Sequence, residues 1–139
     1  QLTISQRVSL TGAIIVSTPQ DIALIDARKG LNMFKKVNVP IVGIVENMSY
    51  YQCPKCNDKT MLFGDGGAKK TAIDMNVPFL GEVPLDIEIR INSDNGEPNQ
   101  TFSKGSNNSI HFDEISNKVL EFIKNDIDQE INEPTIKFE

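Results

Sequence analysis

The sequence predicts an α/β domain built on a parallel sheet with helices packed against it. Three observations carry that expectation. Three short apolar runs, GAIIVS at 12–17, VPIVGIV at 39–45 and VPFLGEV at 77–83, have the composition of strands buried on both faces. Apolar residues at helical spacing separate the first two runs, at Ile22, Ile25, Leu31 and Phe34, and another helical stretch separates the second and third. A last helical pattern closes the chain. The order strand, helix, strand, helix, strand, helix is the signature of parallel strands joined by covering helices.

The elements follow in order. Gly12–Ser17 is the first strand. In STPQD, Thr18 is placed to cap the next helix, Pro19 suits its first position, and Asp21 favours both cap and helix dipole. That helix is expected to reach about Val37. Val39–Val45 is the second strand, and residues 48–66 read as a polar loop containing both cysteines. Gly67–Met75 is a short helix, and Val77–Val83 a third strand closed by Pro84. Residues 92–109 are rich in turn formers and read as irregular. Phe112, Ile115, Val119, Leu120, Ile123 and Ile127 mark the final amphipathic helix. The domain is therefore expected over 1–124, with 125–139 an acidic, disordered tail.

The 139 residues suit one domain with its own core. Net charge is −5, and the segment 125–139 places five acidic residues against Lys137 alone. No basic stripe or arginine cluster appears, which argues against a nucleic-acid partner. No apolar run approaches the ~20 residues of a membrane span. No signal-peptide pattern stands at Gln1, and the chain opens on what reads as mid-domain sequence. Two cysteines in one close pair point to a metal or redox role in a reducing compartment, not to a disulfide scaffold.

Cys53-Pro-Lys-Cys56 is the strongest chemical signal. Thiolates at i and i+3 in a tight turn can aim at one metal centre, but zinc and iron–sulfur sites normally take four ligands. The one histidine, His111, stands far along the chain and is not expected to be a ligand. Three readings stay open: a half-site completed by a second copy, a structural zinc knuckle with another partner, or a redox or neutral pair. Polar flanks on both sides fit a knuckle better than a helix-opening redox pair. Two-fold symmetry is the simplest completion, with one cluster on the axis.

Other strand ends carry weaker signals. In parallel sheets ligands collect at the carboxyl ends of strands, and STPQ, ENMS and VPLD all follow strands here. Asn47 is either a base-recognising amide or a turn residue. Asp86 and Glu88 are either acid–base carboxylates or solvated ones. Tyr50 and Tyr51 either shield a cluster or cover the sheet end. The stretch from Gly64 to Thr71 (GDGGAKKT) imitates a phosphate loop but has Lys69 where glycine is required before the Lys-Thr pair. No catalytic residue is expected in the chain.

Taken together, TGAIIVSTPQDIALIDARKG, VPIVGIVENMSYYQCPKC, LFGDGGAKK, VPFLGEVPLDIEIR and SDNGEP, in this order, resemble the Mrp/ApbC-type P-loop ATPases, iron–sulfur cluster carriers related to MinD and the nitrogenase iron protein. The mitochondrial members that serve respiratory complex I look especially similar. The resemblance covers roughly residues 1–98. It implies a partial doubly wound parallel sheet, the C-terminal part of such a protein. It further implies a homodimer sharing a 4Fe–4S cluster through Cys53 and Cys56, apo iron–sulfur proteins as clients, and a bacterial cytoplasmic or mitochondrial matrix location. Asn47 matches a position that contacts the base of ATP in relatives, and Pro84 to Asp86 the segment packed near it. The phosphate loop and magnesium-binding switches of that family would lie upstream of Gln1, where Gln1–Gln6 resembles the helix after the second switch. ATP and Mg are therefore expected only in an intact parent protein, and this chain alone is not expected to hydrolyse ATP. Against the carrier stand two competing expectations, a zinc-stabilised adaptor and a MinD-like regulatory ATPase with incidental cysteines.

Overall fold

Three parallel strands with the second in the middle form the frame of the computed structural model, which describes residues 2–103, 106 and 108–132. After a short helix α1 (Leu2–Arg7) come β1 (Ala13–Ser17), α2 (Asp21–Lys36), β2 (Ile41–Gln52) and β3 (Lys59–Thr60). Then follow α3 (Gly67–Met75), β4 (Phe79–Leu85), α4 (Ile87–Asp94), α5 (Pro98–Phe102) and α6 (Ser109–Asn132). β1 and β4 flank β2 in parallel, while β3 pairs antiparallel with the end of β2 through Tyr51↔Thr60 and Gln52↔Lys59. The frame is the expected parallel sheet, to which the two-residue β3 adds one antiparallel pairing.

Both faces of the sheet are covered, as near-continuous apolar strands require. On one face Leu24 and Leu31 of α2 and Ala68 and Ala72 of α3 pack with Ile44. On the other, Val42, Val45, Leu80 and Val83 meet Phe112, Ile115, Val119 and Phe122 of α6. Gly43 lets β2 and β4 approach, because a Cβ there would lie 2.7 Å from both Leu80 Cγ and the Pro78 carbonyl. Asn76 ends α3 in the left-handed conformation that asparagine tolerates (φ 51°).

Five local expectations need correction. The second strand does not give way to a polar loop after Val45: β2 continues to Gln52 across an irregularity in which Met48 takes a left-handed φ of 56°. Thr18 is not a cap. The helix begins at Asp21 after Gln20, and the Thr18 hydroxyl donates to Gln20 Oε1 instead (3.1 Å). Pro84 lies inside β4; it stands opposite the irregularity in β2, where the missing N–H interrupts no regular ladder. Residues 92–109 are not simply irregular, since α4 runs through Asp94 and α5 follows Pro98 at its N-terminus. Side-chain bonding from Asn92 Nδ2 to Thr101 Oγ1 (3.1 Å) ties those two helices together. α6 reaches Asn132, inside the segment expected to be an acidic tail; residues 133–139 lie outside the described residues.

Candidate functional site

The cysteine pair sits at the tip of the ribbon formed by β2 and β3. Cys53 N donates to Asp58 O (2.9 Å) and Asn57 N donates to Cys53 O (2.8 Å), closing a tight turn with Asn57 left-handed (φ 59°). Cys53 is half-buried and Cys56 exposed. Backbone N–H groups of Lys55 and Cys56, and then the Cys56 thiol, aim at the Cys53 sulfur and lower its pKa, against weaker opposition from desolvation and Asp58. The turn therefore favours a thiolate, the form that binds metal. Among the described residues no group of three or more His, Cys, Asp or Glu can hold a metal ion. Among the described residues the pair thus offers two thiols without a third ligand.

The ribbon is anchored from below by Tyr50. Its ring is buried, its hydroxyl lies 3.3 Å from His111 Nε2 at the start of α6, and the Lys59 ammonium stands 4.3 Å from the ring centroid. Tyr50 thus covers the sheet end. Tyr51 is half-buried and pairs with Leu85 of β4.

The site residues expected from sequence separate into two places. Pro84 and Asp86 line a cleft of about 440 Å³ together with Cys53, Pro54, Asn108 and His111. Asp86 also caps α4, its carboxylate accepting from Glu88 N at 2.7 Å. Asn47 is not in that cleft's lining. It stands beside Val83 in the sheet, its Oδ1 accepts from Met48 N (3.0 Å), and it borders a groove of about 420 Å³ with Ile14, Val16 and Phe112. The Asp86/Glu88 pair takes the solvated reading at Glu88, which is exposed in the first turn of α4.

Two buried polar residues were not picked out in the sequence. Asn108 is buried in the cleft wall, in a stretch of turn formers that gave no hint of burial. Glu46 is the second: it is 1% exposed and accepts the Ala68 N–H at the N-terminus of α3. Burial raises its pKa, the Ala68 bond works against that, and Glu82 and Asp65 add to the rise. A carboxylate ending an apolar run was the available signal. Its position explains why GDGGAKKT is no phosphate loop: a side chain already occupies the helix N-terminus where an anion would sit, and Lys69 and Lys70 point to solvent. Gly67 completes this clamp, since a Cβ there would lie 2.6 Å from Leu24 Cδ1 and 2.8 Å from the Pro19 carbonyl.

The chain is similar to several known proteins. The iron–sulfur cluster transfer protein NUBPL of Dictyostelium discoideum is 51% identical over 97% of this chain and 43% of its own length. The Arabidopsis thaliana iron–sulfur protein required for NADH dehydrogenase, mitochondrial, is 44% identical over 96% of the chain and 45% of its length. The Escherichia coli K12 iron–sulfur cluster carrier protein is 52% identical over 70% of the chain and 27% of its length. The chain thus spans less than half the length of these curated relatives. Among solved structures, a nucleotide-binding protein of Archaeoglobus fulgidus in complex with ADP superposes with a TM-score of 0.62 at 38% identity, covering 70% of this chain and 40% of that one. The Pyrococcus furiosus cell division ATPase MinD does so with 0.60 at 23% identity, over 80% of this chain and 43% of its own, which shows the shared α/β fold. No helix among the described residues is long and apolar enough to cross a membrane. The family model for ParA-type NUBPL iron-transfer P-loop NTPases matches residues 1–120, and the chain belongs to that family.

Proposed function

We propose that the protein containing this chain carries a 4Fe–4S cluster between two copies and passes it to apo-proteins under the control of ATP. The observation that carries this reading is the isolated thiol pair. Cys53 and Cys56 stand at an accessible hairpin tip, and no further ligand is near them among the described residues. Two such pairs related by a two-fold axis make a four-thiolate set. An accessible, low-denticity site also suits ligand exchange with a client's cysteines. The names of the relatives as carrier and transfer proteins support the reading.

Asn47, Pro84 and Asp86 are the residues proposed for the nucleotide, and the ADP complex of the Archaeoglobus fulgidus protein, which shares this fold, supports nucleotide binding. The 139 residues contain no G-x-x-x-x-G-K-[ST] loop, so phosphate binding, Mg and hydrolysis belong to the intact protein. The working location is bacterial cytoplasm or mitochondrial matrix. Anaerobic reconstitution of the full-length protein with iron and sulfide tests the proposal. A broad absorption band of a 4Fe–4S cluster, lost in a Cys53→Ala, Cys56→Ala variant, is expected. Stoichiometric zinc in protein purified without oxygen would favour a structural knuckle in its place.

A further inference from the structure

The cysteine turn hangs between two buried points, and one of them is tied by a side chain that the proposed function does not use. Tyr50 is buried, and the next buried residue along the chain is Ala68. Every residue from Pro54 to Leu62 is exposed. The return leg, β3, offers only two pairs to β2, and so short a ladder is marginal by itself. The outgoing leg is strand up to Gln52 and is secured by the Tyr50 ring. The return leg is secured only where it enters α3. Gly66 precedes that helix in the left-handed conformation and supplies no side-chain cap. The N–H of Ala68, which has no partner within the helix, donates instead to Glu46 Oε2 on β2 at 2.6 Å. Burying a carboxylate is costly, so a cap of this kind calls for a reason. A local cap would satisfy the helix as well. Only a residue on β2 also joins the helix to the strand that leads to Cys53.

We infer that Glu46 is a positioning residue for the cluster: its bond to Ala68 closes the return leg onto β2 and holds the cysteine turn in one pose on the sheet. The inference rests on the shared-cluster reading above and adds the residue that aims the thiols. The bond joins positions 22 apart, and both cysteines lie between them. The turn's own bonds, Cys53 N to Asp58 O and Asn57 N to Cys53 O, set its internal shape. They do not set its direction relative to the sheet. A cluster shared by two copies needs both turns aimed across the axis. A turn free to swing loses that freedom when the cluster bridges, and the lost entropy weakens retention. The Glu46 clamp removes the freedom beforehand.

The test uses the full-length protein in two forms. Reconstituted protein is challenged with the ferrous chelator bathophenanthroline disulfonate, and cluster-free protein is followed by hydrogen–deuterium exchange. Glu46→Asp keeps the charge and loses the reach to Ala68, whereas Glu46→Gln keeps the reach and loses the charge. Glu46→Asp is expected to release iron about tenfold faster than the unsubstituted protein, and its amides at 59–68 to exchange about tenfold faster, as loss of one hydrogen bond to a charged group implies. Glu46→Gln is expected to stay within about twofold on both readouts. Val119→Ala, which trims the core on the opposite face of the sheet, controls for lost stability as such and is expected to leave both within about twofold. Should Glu46→Asp fail to fold, the unsubstituted protein still decides: an Ala68 amide that exchanges as freely as those of 54–58 overturns the inference. Iron release from Glu46→Asp as slow as from the unsubstituted protein, or as fast from Glu46→Gln as from Glu46→Asp, overturns it too and leaves the shared cluster standing. An unsubstituted protein that takes up no cluster removes both.

Discussion

Glu46 shows how much of this site is decided by single residues far apart in the chain. Its carboxylate closes the N-terminus of α3 by holding Ala68 N–H, 22 positions on. Burial, with Glu82 and Asp65 nearby, lifts its pKa above the ordinary value of 4.5. A carboxyl whose folded pKa is raised contributes stability that is present below the unfolded value and lost as pH rises through the folded one. Glu46→Gln retains an acceptor for Ala68 and removes the charge. Stability measured by denaturant unfolding should therefore shift in favour of the variant as pH rises from about 4 to 7. Parallel pH profiles for the two proteins would contradict this. Glu46→Ala leaves the helix N–H unanswered and should cost about 1–3 kcal/mol at any pH. The sequence showed that a carboxylate ends an apolar run, but not what it binds, because that partner is set by the packing of α3 on β2. Asn108 was hidden for a similar reason. It is buried in the fold, whereas Ser106, Asn107 and Ser109 beside it in the chain are turn formers.

At the scale of elements, the cysteine ribbon departs most from what periodicity could reveal. Cys53 and Cys56 were legible from their spacing alone. The strand that carries them was not, because SYYQ lacks apolar alternation and Met48 enters a conformation that non-glycine residues seldom adopt. Tyr50 supplies the tertiary support that outweighs local preference. Tyr50→Ala should destabilise the protein by about 3–5 kcal/mol through the loss of a buried ring. Tyr50→Phe should cost only about 1 kcal/mol, that of the bond to His111. Denaturant unfolding measures both, and limited proteolysis of the 53–58 turn should accelerate in the alanine variant first. Equal effects of the two substitutions would mean that the hydroxyl, not the ring, holds the ribbon. The apolar runs and the α2 and α6 patterns were readable because each buries a continuous face. The short helices α4 and α5 depend on a cap and a proline more than on periodicity, so they were hidden within a polar stretch.

Across the whole molecule, β1 pairs only with β2 among the described residues, and its outer edge is bare. Ile14 and Val16 on it are 43% and 61% exposed. Apolar side chains on an open edge template further strand pairing. The 139 residues expressed alone should self-associate, as light scattering would reveal, and Val16→Lys should suppress this. An isolated chain that stays monomeric without that substitution would show that the edge is harmless. The relatives' greater length is consistent with this edge being covered in a full-length protein.

Cys53 and Cys56 are proposed as half of a site shared between two copies. Sedimentation equilibrium of the anaerobically reconstituted full-length protein, with nucleotide absent, tests it most directly when iron is counted in the same sample. A dimer with about one 4Fe–4S cluster per two chains is expected, reverting to monomer when a chelator strips the iron. A monomer that retains a full cluster, or a dimer indifferent to chelation and to loss of both cysteines, would contradict it.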